Sequence, residues 1–283
     1  MTGPVVDLHT HSTASDGEAT PEALIDQAAR VGLAAVAVTD HDTVAGVSEA
    51  LEAGERQGVR VIAGCEFSVD VWWGELHLLA YFLPIDHSGL LDFLAQQRQA
   101  RDTRAQAIVA RLVDLGAPLD FSDVRRVADG APIGRPHIAR ALVTTGAVAS
   151  LPEAFDRYLA DGGPAALPRP LAPAEEVTAL IRECGGVSSA AHLKERASRA
   201  NVARLVDLGI DAVEVLHPAH DPRISHGLDR LADELGLLRT GGSDWHGRAN
   251  SARHQALGAM RVPAAWLESL EDLHRSRRAA LPS

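Results

Sequence analysis

The chain is short of the residues that several classes of protein require. Its 283 residues include only two cysteines, Cys65 and Cys184, too few for a disulfide framework or a thiolate zinc site. Its apolar runs are too short to span a membrane, and the amino-terminal MTGPVVDLH lacks the basic start and apolar stretch of a signal peptide. These shortages predict a cytoplasmic protein with no membrane partner.

Positive charge is also scarce, since the formal net charge is −11. A protein that coats nucleic acid generally needs a basic face, so we expect no general nucleic-acid coating. A local pocket for a phosphorylated end is still compatible with this charge, because bound metal ions change the local potential.

Histidine, by contrast, is abundant, with 13 histidines against 2 tyrosines. The hydrophobic content of 46% and charged content of 23% are typical of a soluble globular protein. The length suffices for one large domain, or for a domain with a subdomain. The positions of the histidines are therefore the most informative feature of the sequence.

Short apolar runs alternate with helical patterns along most of the chain. Strands are predicted at 5–8, 34–38, 59–64, 75–82, 186–192, 212–215 and 237–240, and helices at 20–31, 44–57, 173–184, 198–208 and 222–235. Repeated β-α units predict an α/β fold with a parallel sheet or barrel.

A run of helical patterns without intervening strands interrupts this alternation. Residues 87 to about 115 form one long amphipathic pattern, shorter helical pieces follow at 122–128 and 135–143, and a stretch rich in proline and glycine closes the segment at 162–173. We therefore predict a barrel domain made of residues 1–86 and 173–283, with a helical insertion at 87–172.

Imidazoles and carboxylates gather where the predicted strands end. These residues are His9, His11, His41, Glu66, His192, Glu214, His217, Asp244 and His246, while His77 lies within the fourth strand. In parallel β/α folds, the carboxyl ends of the strands meet at one rim. Each residue alone is better explained as an ordinary structural residue. Together they would form a costly unpaired polar cluster, so metal binding is the preferred interpretation.

The spacing His9-Thr10-His11 supports this interpretation, because alternate side chains of a strand point to the same side. Imidazole and carboxylate ligands suit zinc, iron or manganese. Nine candidate ligands, at three or four for each ion, indicate two or three divalent ions with a bridging carboxylate; they are His9, His11, Asp16, His41, Glu66, His77, His192, Asp244 and His246.

Six motifs resemble the PHP (polymerase and histidinol phosphatase) family of metal-dependent phosphoesterases. They are DLHTHSTASDG at 7–17, VTDHDT at 38–43, GCEFS at 64–68, HLLAY at 77–81, AAHL at 190–193 and GGSDWHG at 241–247. The resemblance implies a distorted (β/α)7 TIM-like barrel with an inserted helical subdomain. It also implies three divalent ions, with manganese the leading candidate and iron or zinc as alternatives.

The resemblance assigns a ligand set to each ion. The first ion would be held by His9, His11, Glu66 and Asp244, the second by Glu66, His77 and His192, and the third by Asp16, His41 and His246. Asp7, Asp40 and Asp42 are expected to orient ligands or cap loops, as carboxylates near metal-bound histidines commonly do.

The insertion resembles that of 3′,5′-nucleoside bisphosphate phosphatases, whose relatives trim short RNA from the 5′ end. The matching motifs are GRPHIARAL at 134–142, FDRYL at 155–159 and GGPAALPR at 162–169. The resemblance implies substrate binding by Arg135, His137 and Arg169, although Arg135 could instead cap a helix or form a surface ion pair. His217 and His220 are candidates for protonating the leaving group. Two departures from the family pattern bear on the substrate: Asp161 stands where a cation is common, and AAHL replaces a more usual His-Pro.

The predicted function is hydrolysis of nucleotide phosphate monoesters, with a small phosphorylated nucleotide or short RNA end as substrate and phosphate as product. Alternatives are a histidinol-phosphate phosphatase, an amidohydrolase and a non-catalytic metal-binding or nucleotide-binding module. The long insertion argues against the first. The PHP motif order and the lack of an obvious carbamylated-lysine position argue against the second. The full ligand set argues against the third.

Overall fold

The computed structural model describes residues 3–247 and 256–281, and within them nine strands form one curved sheet. The strands are β1 (Val5–Asp7), β2 (Ala35–Val38), β3 (Arg60–Val71), β4 (Gly74–Tyr81), β5 (Ala172–Pro173), β6 (Val187–Ala190), β7 (Ala212–Leu216), β8 (Leu238–Gly241) and β9 (Val262–Pro263). Their order is β8-β7-β6-β4-β3-β2-β1-β9, with β5 pairing beside β3.

The two ends of this sheet approach each other and nearly close a barrel. The amide of Leu8, just after β1, donates to the carbonyl of Gly241 in β8 at 3.1 Å. Further along, Thr10 forms a parallel bridge with Trp245. The expected TIM-like barrel is confirmed, and the segments that follow β1 and β8 meet at one rim.

The sheet is mixed rather than wholly parallel. The strands β1, β2 and β3 are parallel, as are β6, β7 and β8, but β4 runs antiparallel to both β3 and β6. Only two residues, Trp72 and Trp73, connect β3 to β4, and so short a connection permits only an antiparallel pair. Because β3 continues into this hairpin, Glu66 lies within the strand rather than after it.

Ten α-helices complete the described part of the fold. They are α1 (Pro21–Arg30), α2 (Val47–Gln57), α3 (Ser88–Asp114), α4 (Phe121–Ala128), α5 (Arg135–Thr144), α6 (Leu151–Ala154), α7 (Ala174–Glu183), α8 (Arg199–Asp207), α9 (Pro222–Leu235) and α10 (Ala264–Ala280). Helix α1 begins as its sequence predicts, because Thr20 accepts a hydrogen bond from the amide of Ala23 and Pro21 occupies the first turn. The sequence prediction stopped before β9 and α10, which the structure adds.

Three apolar clusters hold these elements together. One lies between the sheet and its outer helices, and a second fills the barrel, where the Tyr81 hydroxyl also donates to the carbonyl of Leu8 at 3.1 Å. The third, which includes Ile108, Leu112, Ile138 and Leu142, belongs to residues 88–171, called here the helical segment. None of the helices described is long and apolar enough to cross a membrane.

Candidate metal centre

The two histidines that follow β1 are fixed by the threonine between them. The Thr10 hydroxyl donates to the carbonyl of Ala37 at 2.6 Å, and its amide donates to the Thr39 hydroxyl at 3.1 Å. These bonds tie the loop after β1 to the end of β2. His9 and His11 are fully buried, with ring centroids 5.2 Å apart.

Glu66 is the centre of the histidine cluster and is only 1% exposed. Its Oε2 lies 3.1–3.3 Å from ring nitrogens of His9, His11 and His41, and its Oε1 lies 2.9 and 3.1 Å from those of His77 and His192. Residues that follow β1 and β2 thus meet residues of β4 and the end of β6 at one carboxylate. This geometry suits a carboxylate that bridges two ions.

Two aspartates bring the remaining predicted ligands together. Asp244 Oδ1 lies 3.3 and 3.2 Å from Nε2 of His9 and His11. Asp16 Oδ1 lies 3.3 Å from Nε2 of His246 and 3.9 Å from Nε2 of His41. The group of His11, Asp16, His41 and His246, called here the Asp16 cluster, has ligand atoms within 4.8 Å of one another.

The donor set fits divalent metal ions. Four further groups have ligand atoms equally close: His9 with His11 and Asp244, His9 with Glu66 and His192, His9 with Glu214 and His217, and His41 with Glu66 and His77. Ring nitrogens of His9, His11, His41 and His217 are buried without a hydrogen-bond partner among the described residues. A metal ion satisfies such nitrogens together with the carboxylate oxygens beside them.

The electrostatics of the cluster point the same way. Burial opposes ionisation of Glu66, but the nearby His41, His77 and His9 hold the pKa of its carboxyl well below the usual value. Burial also opposes charging of His11, yet the adjacent carboxylates of Asp244 and Glu66 raise its pKa to about 10. Burial lowers the pKa of His41, whose ring centroid is 4.6 Å away, to about 3. The buried carboxylates that favour a positive charge on His11 would equally favour a metal ion in the same place.

Carboxylates outside the ligand set support the ligand-bearing loops. Asp7 accepts from the Ser243 amide at 2.9 Å and the Ser243 hydroxyl at 2.6 Å, next to Asp244. Asp40 accepts from the Ser12 amide and hydroxyl, both at 2.7 Å, and from the Ser15 hydroxyl at 2.6 Å. Both aspartates therefore fix backbone beside a ligand.

Glu214 belongs with these supporting groups, although the sequence marked it only as a strand-end residue. It is fully buried, its Oε1 lies 2.9 Å from Nδ1 of His9, and its Oε2 accepts from the His192 amide at 2.7 Å. One carboxylate thereby orients two predicted ligands. A carboxylate in an otherwise apolar strand was the signal for this role.

The two histidines predicted to assist catalysis have different surroundings. Nδ1 of His217 accepts from the Ala219 amide at 3.0 Å, and its Nε2 lies 3.4 Å from Asp244 Oδ2. Nδ1 of His220 lies 3.2 Å from the carbonyl of Val215, and its Nε2 accepts from the Lys194 amide at 3.3 Å. The structure thus directs a His217 nitrogen to the site, whereas both nitrogens of His220 contact backbone.

The three residues predicted to bind substrate also lie in different places. Arg135 donates to the carbonyl of Leu159 at 3.1 Å and to Asp161 Oδ1 at 2.6 Å. His137 is 2% exposed and its Nε2 donates to the carbonyl of Ser15 at 2.9 Å. The structure therefore brings His137 to a ligand-bearing loop and gives Arg135 a carboxylate partner.

Arg169 is buried beside the site and shares a partner with an arginine that the sequence did not single out. Its Nη2 donates to Asp42 Oδ2 at 3.0 Å, and its Nη1 is buried without a partner in the described part of the chain. Arg101 of α3 donates to the same oxygen at 2.7 Å. Within the long Gln- and Arg-rich pattern of α3, the sequence contained no signal to distinguish Arg101 from its neighbours.

A cavity of about 190 Å³ opens over the cluster. Its walls are formed by His41, Glu66, His77, His192, Lys194, His217, Asp244 and His246. Lys194, a second cation that the sequence did not single out, is an exposed side chain at this opening. Imidazoles, carboxylates and a rim cation around one opening suit a phosphoryl group held against metal ions.

Comparisons with known proteins extend over nearly the whole chain. The family described as the PHP domain matches residues 7–116. The 5′-3′ exoribonuclease Rnm of Escherichia coli (strain K12) is 35% identical over 250 residues, covering 86% of this chain and 85% of that protein. The 3′,5′-nucleoside bisphosphate phosphatase of Chromobacterium violaceum is 33% identical over 256 residues, covering 88% of this chain and 89% of that protein. A structure from Bifidobacterium adolescentis, assigned as a metal-dependent phosphoesterase, has a TM-score of 0.87 at 31% identity and covers 96% of this chain and 97% of its own.

Proposed function

Since the chain belongs to the PHP family of metal-dependent phosphoesterases, we propose that it hydrolyses the 3′-phosphate of 3′,5′-nucleoside bisphosphates and trims short RNA from the 5′ end. The observation that carries this proposal is the meeting of five imidazoles on the two oxygens of buried Glu66. A carboxylate so placed can bridge metal ions, and metal-assisted hydrolysis is the chemistry of the family.

We assign three divalent ions, manganese foremost, to the residues present. His9, His11, Glu66 and Asp244 would hold the first, Glu66, His77 and His192 the second, and Asp16, His41 and His246 the third. The chemistry that such ions supply when bound is polarisation of phosphoryl oxygens and acidification of water.

His217 is the proposed proton donor to the leaving 3′-oxygen. Because its Nδ1 accepts a hydrogen bond from Ala219, the neutral ring carries its proton on Nε2, the nitrogen that faces Asp244. A proton held there can pass to an alkoxide in the cavity. His220 remains a candidate in the same loop, with its backbone contacts favouring a supporting role.

The two proposed substrates present the same bond to the site. In a 3′,5′-bisphosphate and at the 5′ end of a phosphorylated RNA, the ester joins phosphorus to the 3′-oxygen of a nucleotide that also carries a 5′-phosphate. One anchor for the 5′-phosphate therefore serves both. Arg169, with a buried Nη1 and with Nη2 on Asp42, is the proposed anchor, assisted by Arg135. Both ring nitrogens of His137 contact the backbone of Gly134 and Ser15, which favours a supporting role for that residue.

The proposed division into domains is consistent with this arrangement. We propose that residues 1–86 and 173–283 form the catalytic barrel and that 87–172 form a lid that carries substrate-binding residues. The separate apolar cluster of the helical segment favours this division, although Ala172 pairs with Val69 in the sheet and thus lies on the barrel side.

Purified protein with Mn²⁺ should release phosphate from 3′,5′-bisphosphoadenosine and mononucleotides from short 5′-monophosphorylated RNA, and a chelator should abolish both activities. The matched controls are 3′-AMP and 5′-hydroxyl RNA, which lack the 5′-phosphate and should react poorly. Faster turnover of histidinol phosphate would favour that alternative. Tight binding of metal and nucleotide with no hydrolysis would mean that the protein is a non-catalytic binding module.

A further inference from the structure

The helical segment reaches the loop that carries Asp16 through two side chains of α5. Nε2 of His137 donates to the carbonyl of Ser15 at 2.9 Å, and Arg140 donates to the carbonyl of Asp16 itself. Nδ1 of His137 accepts from the Gly134 amide at 3.0 Å, which orients the ring. The backbone of a predicted ligand is therefore fixed from outside the barrel.

The segment reaches the loop of His41 through two arginines. Arg101 of α3 and Arg169, which lies in the stretch before β5, donate to Asp42 Oδ2 at 2.7 and 3.0 Å. Asp42 follows His41 directly and has a φ of 48°, an unusual backbone conformation that needs support. Its amide donates to the carbonyl of Glu66 at 3.1 Å, so the arginines also act on a backbone joined to the central carboxylate.

Other predicted ligands are supported from within the barrel. Glu214 of β7 orients His9 and the backbone of His192, and Asp7 of β1 holds Ser243 beside Asp244. Two loops of the Asp16 cluster thus have partners in the helical segment in addition to Asp40 of the barrel, while the ligands around His9 are supported by the strands themselves.

We propose that the helical segment is a latch that assembles the third metal site, with Arg101, His137 and Arg140 as positioning residues. Arg169 takes part through Nη2, which holds Asp42, while its Nη1 is the proposed contact to substrate. The inference rests on the three-ion assignment of the proposed function. The barrel holds the ligands of the first two ions in place, whereas the third ion binds tightly only when the segment is seated on the loops of Asp16 and Asp42. Loss of an outer partner of a metal ligand typically lowers metal affinity about 10- to 100-fold.

Arg140→Met and Arg101→Met test this latch, with Arg111→Met as the matched control. Arg111 lies on α3 and donates to the carbonyl of Pro164 at 3.1 Å, so it makes a similar bond away from the barrel. Titration calorimetry with Mn²⁺ and metal analysis after gel filtration should give three ions for the natural protein and for Arg111→Met. Both latch variants should keep two tight ions and bind the third about 10- to 100-fold more weakly.

Turnover of 3′,5′-bisphosphoadenosine provides a second measurement. The latch variants should lose kcat at low Mn²⁺ and recover it at high Mn²⁺, with little change in KM. A raised KM that Mn²⁺ does not restore would mean that these arginines contact substrate, and the latch would be wrong. Should Arg140→Met fold poorly by circular dichroism, Arg140→Lys, which keeps a donor and the charge, should retain the third ion.

The outcomes separate the latch from the proposed function. Three ions of unchanged affinity in both latch variants would overturn the latch and leave the phosphoesterase assignment intact. Only two ions in the natural protein would overturn the three-ion assignment and the latch together, while hydrolysis of the bisphosphate would still support the activity.

Discussion

The barrel and the helical segment contribute to the candidate site in different ways. The barrel supplies every predicted metal ligand, and His9 and His192 are oriented by Glu214, a residue of its own strand β7. The helical segment supplies none of the predicted ligands, yet its side chains contact Ser15, Asp16 and Asp42. The helical segment has an apolar cluster of its own from Ala105 onward, whereas Leu90, Phe93 and Leu94 at the start of α3 pack in the cluster of the barrel.

This difference has a physical origin. Strand ends are held by ladder hydrogen bonds, so a side chain placed there is positioned by the sheet without further help. A ligand on a loop has no such support and requires contacts from elsewhere. Asp16 lies in a turn after β1, where Asp40 of the barrel holds Ser12 and Ser15, and helix α5 adds contacts to the carbonyls of Ser15 and Asp16.

Glu66→Ala should have the largest effect of the variants in the barrel, because it removes the central carboxylate of the site. The carboxylate contacts five imidazoles, so its loss leaves them without their shared partner. We expect turnover to fall by roughly a thousandfold or more, equivalent to about 4 kcal/mol, with most bound metal lost. The measurements are kcat with 3′,5′-bisphosphoadenosine and metal content. Glu195→Ala removes an exposed carboxylate near the opening and should leave both unchanged; near-normal activity and metal content in Glu66→Ala would contradict the site.

His217→Asn and His220→Asn compare the two histidines of the loop after β7. Asparagine at 217 can still accept from the Ala219 amide but has no group in place of Nε2. We expect kcat to fall by about 100-fold at His217 and by less than about tenfold at His220, since general acid catalysis is commonly worth that much.

A substrate with a better leaving group separates proton donation from metal binding in this pair. If His217 is the proton donor, His217→Asn should hydrolyse p-nitrophenyl phosphate nearly as fast as the natural protein does, because that leaving group needs no proton. Loss of activity on both substrates together with loss of metal would instead make His217 a ligand, as its closeness to His9 and Glu214 permits. Equal losses in the two variants would contradict the distinction between them.

Glu214→Gln should weaken the barrel-supported ligands without affecting the Asp16 cluster. The amide keeps the size of the side chain but can no longer orient both Nδ1 of His9 and the His192 amide. We expect Mn²⁺ affinity to fall about 10- to 100-fold at one or both of the first two ions. Calorimetry should therefore show a third ion of unchanged affinity and weaker binding of one or both of the first two, the reverse of the result expected for the latch variants. Glu176→Gln, on the exposed face of α7, is the control, and weakening of the third ion alone would contradict the division.

The sequence predicts the fold and the metal ligands of the barrel far better than it predicts the roles of residues in the helical segment. The PHP-type barrel is confirmed, and helix α9 has the predicted limits at 222–235. The direction of β4 could not be predicted, because the alternation of apolar residues is the same in parallel and antiparallel strands. Strand ends bring ligands together by a general rule, so His9 and Asp244 could be identified from position alone.

The roles of Arg101 and Arg140 could not be identified in the same way. Each acts through a partner that is distant in sequence, Asp42 or the carbonyl of Asp16, and no periodicity records such a contact. The predicted roles of Arg135, His137 and Arg169 came from resemblance and stay predictions, although the structure gives each a defined protein partner.

Substitution of Arg135 should have the smallest effect of those considered, and it tests directly whether the helical segment binds substrate. Its side chain donates to Asp161, a carboxylate that is 93% exposed, at 2.6 Å. If Arg135 binds a substrate phosphate, Asp161 competes for it, so Arg135→Gln should raise KM and Asp161→Asn should lower it. Exposed pairs are worth up to about 1 kcal/mol, which corresponds to changes of about fivefold or less.

Changes of KM in opposite directions in these two variants, with metal content unchanged, would make Asp161 a regulator of substrate affinity. Unchanged KM in both would make the pair a surface contact that only closes the turn after Leu159. The helical segment would then act on the reaction through Asp16 and Asp42, and substrate affinity would depend on Arg169 and on Lys194 at the opening.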